Sequence, residues 1–279
     1  MALWYAFWDM LPFEIFHWHF MANALLSVIL MAPLFGLCST MVVTGRMSFF
    51  SDALGHSAFT GIAIGCIFGI AAPTWVAVLF AVGFSILFSY VRSRSSQAAD
   101  TIIGVFSSAA VAFGIFIATL DGGSFTKYNR YLIGDILSIT PKQIGFLALV
   151  LLGMITFWIL SANRLTLSAI HPQLAASRGI PVSLTQGAFT VVIAVVVTLS
   201  ISWVGLLILN SLLVLPGAAA RNVARNQKEY HVLCVTFAFV AGVIGLIVSY
   251  YLGASAGAAI CLVLVLIFAA SFLLRKVRG

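Results

Sequence analysis

The chain has 279 residues, of which 62% are hydrophobic and 8% charged, against roughly 25% charged in soluble domains, so water is not its main solvent. Its formal charge of +7 does not make a nucleic-acid surface, because the basic residues stand singly between apolar runs rather than along one stripe. With a mean hydropathy of +1.15, the composition predicts an all-α, polytopic integral membrane protein.

Residues 1–19 carry Asp9 and Glu14 but no Lys or Arg, so the basic n-region of a cleavable signal is missing. They also carry Trp4, Tyr5, Trp8 and Trp18, aromatics that favour the membrane–water interface. The expectation is an extracytoplasmic, interfacial segment over 1–19, followed by a single transmembrane domain over 20–279. Glu14, His17 and His19 could also meet a metal outside, but simple interfacial placement is the better account of them.

Charge-free runs cover 15–45, 53–91, 101–120, 143–163, 179–220 and 230–274. A helix needs about 20 residues to cross the hydrocarbon core, so the three longest runs must each turn back. The breaks are expected near Pro73, between Ser200 and Gly205, and near Gly253. Nine crossings result, or eight if one short run is re-entrant. Of the 14 Lys and Arg, eleven fall in one set of loops. Only Lys127, Arg130 and Lys142 fall in the other. The positive-inside rule puts the first set in the cytoplasm, which leaves the N-terminus outside and the C-terminus inside.

The second crossing opens with Arg46-Met-Ser-Phe-Phe-Ser-Asp-Ala-Leu-Gly-His56. Asp52 and His56 are four apart and share one helix face. With a helix beginning near Arg46, His56 would lie about 15 Å along it, near the bilayer midplane. An ionisable residue at such depth normally faces a cavity or pathway, and carboxylate with imidazole suits a divalent transition metal such as zinc, manganese or iron. The simpler reading is a packed histidine with Asp52 as its partner. Two donors are fewer than zinc usually takes, and a two-fold pair of chains would supply four. Ser57, Gly61, Gly65 and Gly69 form a small-residue stripe one position round the helix. It would serve close packing, either between two chains or within one.

Further along, Asp100 is placed to cap the fourth crossing. Asp135, in Tyr131-Leu-Ile-Gly-Asp-Ile-Leu137, is a candidate outer gate or a solvated turn. Asn210 would bond a neighbouring helix. The cytoplasmic connection near 166–183 contains His171-Pro-Gln-Leu-Ala-Ala-Ser-Arg-Gly179, which predicts a short helix with Pro172 in its first turn and Gly179 as its stop. Such an element is either a docking lever or a linker. Cys38, Cys66, Cys234 and Cys261 sit in apolar runs without CxxC spacing and read as buried filler. No GxxxxGK[ST] phosphate loop occurs, so an ATP-driven cycle would need another subunit. No HExxH supports an intramembrane protease. An ion-coupled transporter using Asp52 and His56 as a relay stays open as the alternative, although no convincing inverted repeat is visible.

Four stretches, in order, give the chain a family likeness: Arg46 to Ser57, Asp100-Thr-Ile-Ile-Gly-Val105, Tyr131 to Leu137, and Val204-Gly-Leu-Leu207 with Leu215-Pro-Gly-Ala-Ala-Ala-Arg221. Over about residues 20–275 the chain resembles the membrane-spanning permease of metal-ion ABC importers of the zinc/manganese type. The resemblance implies a type II importer fold in a bacterial cytoplasmic membrane, with no catalytic activity or permanent cofactor of its own. It implies a homodimer or paired permease, a cytoplasmic ATP-binding subunit and an extracytoplasmic metal-binding protein. Asp52 and His56 match that family's Asp–His pair on the metal path. The segment holding His171, Pro172, Arg178, Gly179 and Pro181 matches its coupling helix. The aromatic extension over 1–19 departs from the family's shorter start.

Overall fold

The structure, a computed structural model, describes residues 4–5, 8, 14–70, 72–120 and 135–278. Lys127, Arg130 and the Tyr131–Gly134 part of the outer motif therefore lie outside the described residues, as does Asp9. Every regular element among the described residues is helical. After α1 (Glu14–His17) come α2 (His19–Thr44), α3 (Phe50–Ile67), α4 (Pro73–Arg94) and α5 (Ala99–Leu120). A 3₁₀ turn at Ile136–Ser138 leads into α6 (Pro141–Ile170) and the short α7 (Pro172–Ser177). Then follow α8 (Val182–Val204), α9 (Leu206–Val223), α10 (Gln227–Leu252) and α11 (Ala256–Arg278).

Eight of these, α2, α4, α5, α6, α8, α9, α10 and α11, are long and apolar enough to cross a membrane. The ninth long helix, α3, has 18 residues, carries Asp52 and His56, and is not among those eight. Leu79, Ile159, Leu160 and Leu266 are among the strongly exposed apolar side chains, which suits a lipid solvent. The protein is thus a multi-pass membrane protein.

The chain reverses where its backbone chemistry requires. Pro73 occupies the first turn of α4, where a missing N–H costs nothing. Gly205, at φ 85°, separates α8 from α9, within the window expected for that return. Gly253 ends α10 in the left-handed conformation at φ 61°, which only glycine adopts without a Cβ penalty.

The fold consists of two compact units. One comprises Met1–Thr40, Asp135–Ile155 and Trp203–Gly279. In it α9, α10 and α11 pack on one another. The fit depends on missing side chains: a Cβ on Gly245 would meet the Ile260 backbone, and one on Gly36 would meet that of Val235. Pro216 interrupts the ladder of α9, and the Gly217 amide beside it donates to Ser39 Oγ at 2.8 Å. At the N-terminus, Trp4 Nε1 donates to the Ala22 carbonyl at 3.0 Å and Tyr5 Oη to Asn23 Oδ1 at 2.7 Å. These two aromatics are therefore anchored on the first turns of α2.

The other unit comprises Met41–Gly134 and Thr156–Ser202. Here α3 lies against both α4 and α5. Phe59, Ala63 and Ala118 form a buried cluster, and Phe50 stacks on Phe88 with centroids 4.5 Å apart. Asp100 sits inside the first turn of α5, which begins at Ala99, rather than at the cap position expected for it. Its carboxylate still complements the positive end of that helix.

Candidate metal path on the second long helix

The geometry of this site begins with the turn before it. The end of α2 is a Schellman arrangement: Arg46 takes φ 54°, the Met47 amide bonds the Val42 carbonyl at 2.9 Å, and the Arg46 amide bonds that of Val43 at 3.2 Å. Such an end normally carries glycine. Residues 45–49 are consumed in the turn, so α3 begins at Phe50 and not near Arg46. His56 then lies about 9 Å along the helix rather than about 15 Å. Asp52 falls in the first turn, where the helix dipole favours a carboxylate.

Asp52 and His56 are brought together as their spacing requires, with Nε2 of His56 3.5 Å from Oδ2 of Asp52. Their side chains remain 44% and 31% exposed, respectively, so both donors can reach a guest. The rest of α3 is held firmly. Thr60 Oγ1 donates across to the Ala110 carbonyl of α5 at 2.8 Å. Thr60 and Phe59 also fill the space that a Cβ on Gly114 would need. On the adjoining face, a Cβ on Gly61 would strike the Ala77 backbone of α4, and one on Gly65 would come within 3.0 Å of Pro73 Cα. Ser57 is fully buried and donates to the Leu54 carbonyl at 2.8 Å. Gly69 is the left-handed residue that follows the helix, at φ 64°. At Gly61 and Gly65 the small-residue stripe is therefore used within the chain, against α4.

No group of three or more His, Cys, Asp or Glu side chains gathers anywhere among the described residues. Among the described residues Asp52 and His56 therefore stand as a pair and not as part of a larger cluster. Asp135 is exposed and belongs to the other unit. Its Oδ1 accepts the Leu137 amide at 3.0 Å and its carbonyl accepts the Ser138 hydroxyl at 2.8 Å, capping the 3₁₀ turn. His17 and His19 are exposed, and the His19 ring lies 4.3 Å from that of Tyr5.

The connection from α6 to α8 takes the expected form. His171 stands at the cap position of α7, Pro172 opens the helix, and Gly179 follows it at φ 74°. His171, Pro172, Arg178, Gly179 and Pro181 are all exposed. The Gln186 side chain closes the base of this connection by donating to the Ser168 carbonyl at 3.0 Å. Sequence reasoning did not find that tie, because the partners are 18 residues apart and neither residue is distinctive.

Among the described residues, eight membrane-length apolar helices and a further long helix with an accessible Asp–His pair make an all-helical membrane protein of the kind that builds permeases. Residues 17–275 match the ABC 3 transport family, and the chain belongs to it. It is similar to the manganese import system permease protein ScaB of Streptococcus gordonii, at 29% identity over 91% of each chain. It is also similar to the high-affinity zinc uptake system membrane protein ZnuB of Haemophilus influenzae, at 27% identity over 91% of this chain and 97% of that one. Among solved structures, PsaBC from Streptococcus pneumoniae in complex with Fab superimposes with a TM-score of 0.77 at 25% identity. That match covers 98% of this chain and 95% of that one.

Proposed function

We propose that this chain is the permease of an ATP-driven importer that moves a divalent transition-metal ion across the cytoplasmic membrane of a bacterium. The observation that carries the reading is the Asp52–His56 pair, one helical turn apart and open to a guest, on a helix otherwise locked between two neighbours. A permeating ion must shed water and be met by donors that release it again. A pair of ligands does this, whereas a full cage would trap the ion. Zinc is the first candidate because imidazole favours it over manganese, with manganese and iron as competitors. Two copies of the chain would present two such pairs along the path.

In this reading ATP is hydrolysed on a partner ATP-binding subunit. An extracytoplasmic metal-binding protein delivers the ion, and the exposed segment carrying His171, Pro172, Arg178, Gly179 and Pro181 seats on the ATPase. Asp135, capping an exposed turn, is the candidate for an outer gate. The test is metal uptake by the complex reconstituted with both partners, with zinc, manganese and iron in competition. Asp52→Ala and His56→Ala are each expected to reduce uptake at least tenfold while leaving assembly intact. Undiminished uptake in either variant overturns the site, and uptake without the ATPase favours an ion-coupled transporter instead.

A further inference from the structure

A cavity of about 270 Å³ lies within the second unit, lined by Ser89, Arg92, Ser93, Val182, Ser183, Gln186 and Thr190. One water occupies about 30 Å³ of liquid, so this space admits a group of several heavy atoms. It joins the last turns of α4 to the first turns of α8, immediately after the exposed connection carrying α7.

The charge balance of this cavity is incomplete. Arg92 is half-buried, its Nη2 donates to the Gly45 carbonyl at 3.1 Å, and its Nη1 is buried with no hydrogen-bond partner. Among the described residues no carboxylate pairs with it. A half-buried guanidinium without a counter-charge is unfavourable unless an anion is supplied from elsewhere. The hydroxyls of Ser93 and Thr190 already donate to carbonyls of their own helices, Tyr90 at 2.8 Å and Gly187 at 2.7 Å. Ser89 and Ser183 also line the cavity, and among the described residues their hydroxyls make no such bond. The first backbone bond of α8 is Thr185 N to Pro181 O, at 2.9 Å, so the amides of Val182 and Ser183 precede the helical ladder.

We propose that this cavity binds a phosphate-bearing anion that neutralises Arg92, accepts hydrogen bonds from Ser89 and Ser183, and ties the end of α4 to the root of the α7 connection. The chemistry is that of a tetrahedral oxyanion, which either the headgroup of an anionic phospholipid or free inorganic phosphate supplies. Occupancy would stiffen the base of the connection and is independent of which ion the chain transports.

The test uses the full chain in nanodiscs of phosphatidylcholine, with and without phosphatidylglycerol, and separately in neutral detergent with inorganic phosphate. Thermal unfolding and native mass spectrometry supply the readouts. Phosphatidylglycerol or phosphate is expected to raise the unfolding midpoint saturably, with about tenfold weaker binding in Arg92→Gln, the loss of one charge-assisted hydrogen bond. A response to the lipid alone identifies a headgroup, and a response to both identifies the oxyanion itself. Because Arg92 also holds the Gly45 carbonyl, the double variant Ser89→Ala/Ser183→Ala provides a second measurement with that contact intact. Lys228→Gln, at an exposed basic residue outside the cavity, should respond as the unaltered chain does. No midpoint shift from either ligand, or equal shifts in all variants, overturns the proposal.

Discussion

Gly61 and Gly83 look interchangeable in sequence, both being glycines inside apolar helices, yet their surroundings differ completely. A Cβ on Gly61 would meet the Ala77 backbone, whereas nothing lies within 4 Å of one on Gly83. Backbone cannot swing aside as a long side chain can, so Gly61→Ala overpacks the α3–α4 contact at a cost of about 1–3 kcal/mol. Gly83→Ala gains helix propensity of up to about 1 kcal/mol. Thermal unfolding in detergent should move the two midpoints in opposite directions, and a neutral Gly61→Ala would remove the close α3–α4 contact. Asp52 and His56 depend on that contact at one remove, since the packing of Gly61 and Gly65 sets which way their face of the helix turns. Their pairing was legible from the four-residue spacing alone. Their depth was not, because it required Arg46 to adopt a left-handed backbone that residue type argues against.

At the scale of elements, the helix breaks were legible wherever a residue has only one reason to be there. Pro73 cannot continue a ladder, and Gly253 can end one without strain. The tie between Gln186 and Ser168 and the cavity beside Arg92 were not legible, because each brings together segments that carry no pattern of their own. The same distinction governs the α7 connection. Gly179 takes φ 74° in open space, so Gly179→Ala meets no clash but strains the backbone by about 1–2 kcal/mol. That is enough to shift a local two-state equilibrium about five- to thirty-fold. In the complex reconstituted with the proposed ATP-binding subunit, uptake should fall while the folded fraction stays unchanged. Gly145→Ala, on α6 and equally unobstructed, is the control expected to transport normally. If both variants transport alike, the helix stop at Gly179 plays no part in coupling.

For the molecule as a whole, the number of crossings and the direction of each are linked. Eight apolar helices alone would leave both termini on one side of the membrane. Counting α3 makes nine and puts them on opposite sides. We propose nine on the charge pattern, because Arg46 before α3, Arg92 and Arg94 at the end of α4, and Arg221 and Arg225 around the end of α9 would then all face the cytoplasm, with Arg275 near the C-terminus. If α3 did not cross, the loops on its two sides would share a compartment and the basic residues would divide between the two faces. Single cysteines distinguish the two arrangements. Ser96 lies between α4 and α5, Ser255 lies between α10 and α11, and both are exposed. Cys38 and Cys234 are buried and Cys66 and Cys261 half-buried, all within apolar stretches of helix, so the native cysteines should contribute little labelling by a membrane-impermeant reagent. In intact cells a membrane-impermeant maleimide should label Ser255→Cys readily and Ser96→Cys only after permeabilisation. With nine crossings, a reporter fused after Gly279 is cytoplasmic and one fused before Met1 is not. Labelling of Ser96→Cys from outside would reverse the orientation. Termini found on one side would remove α3, and with it the Asp52–His56 pair, from the membrane path.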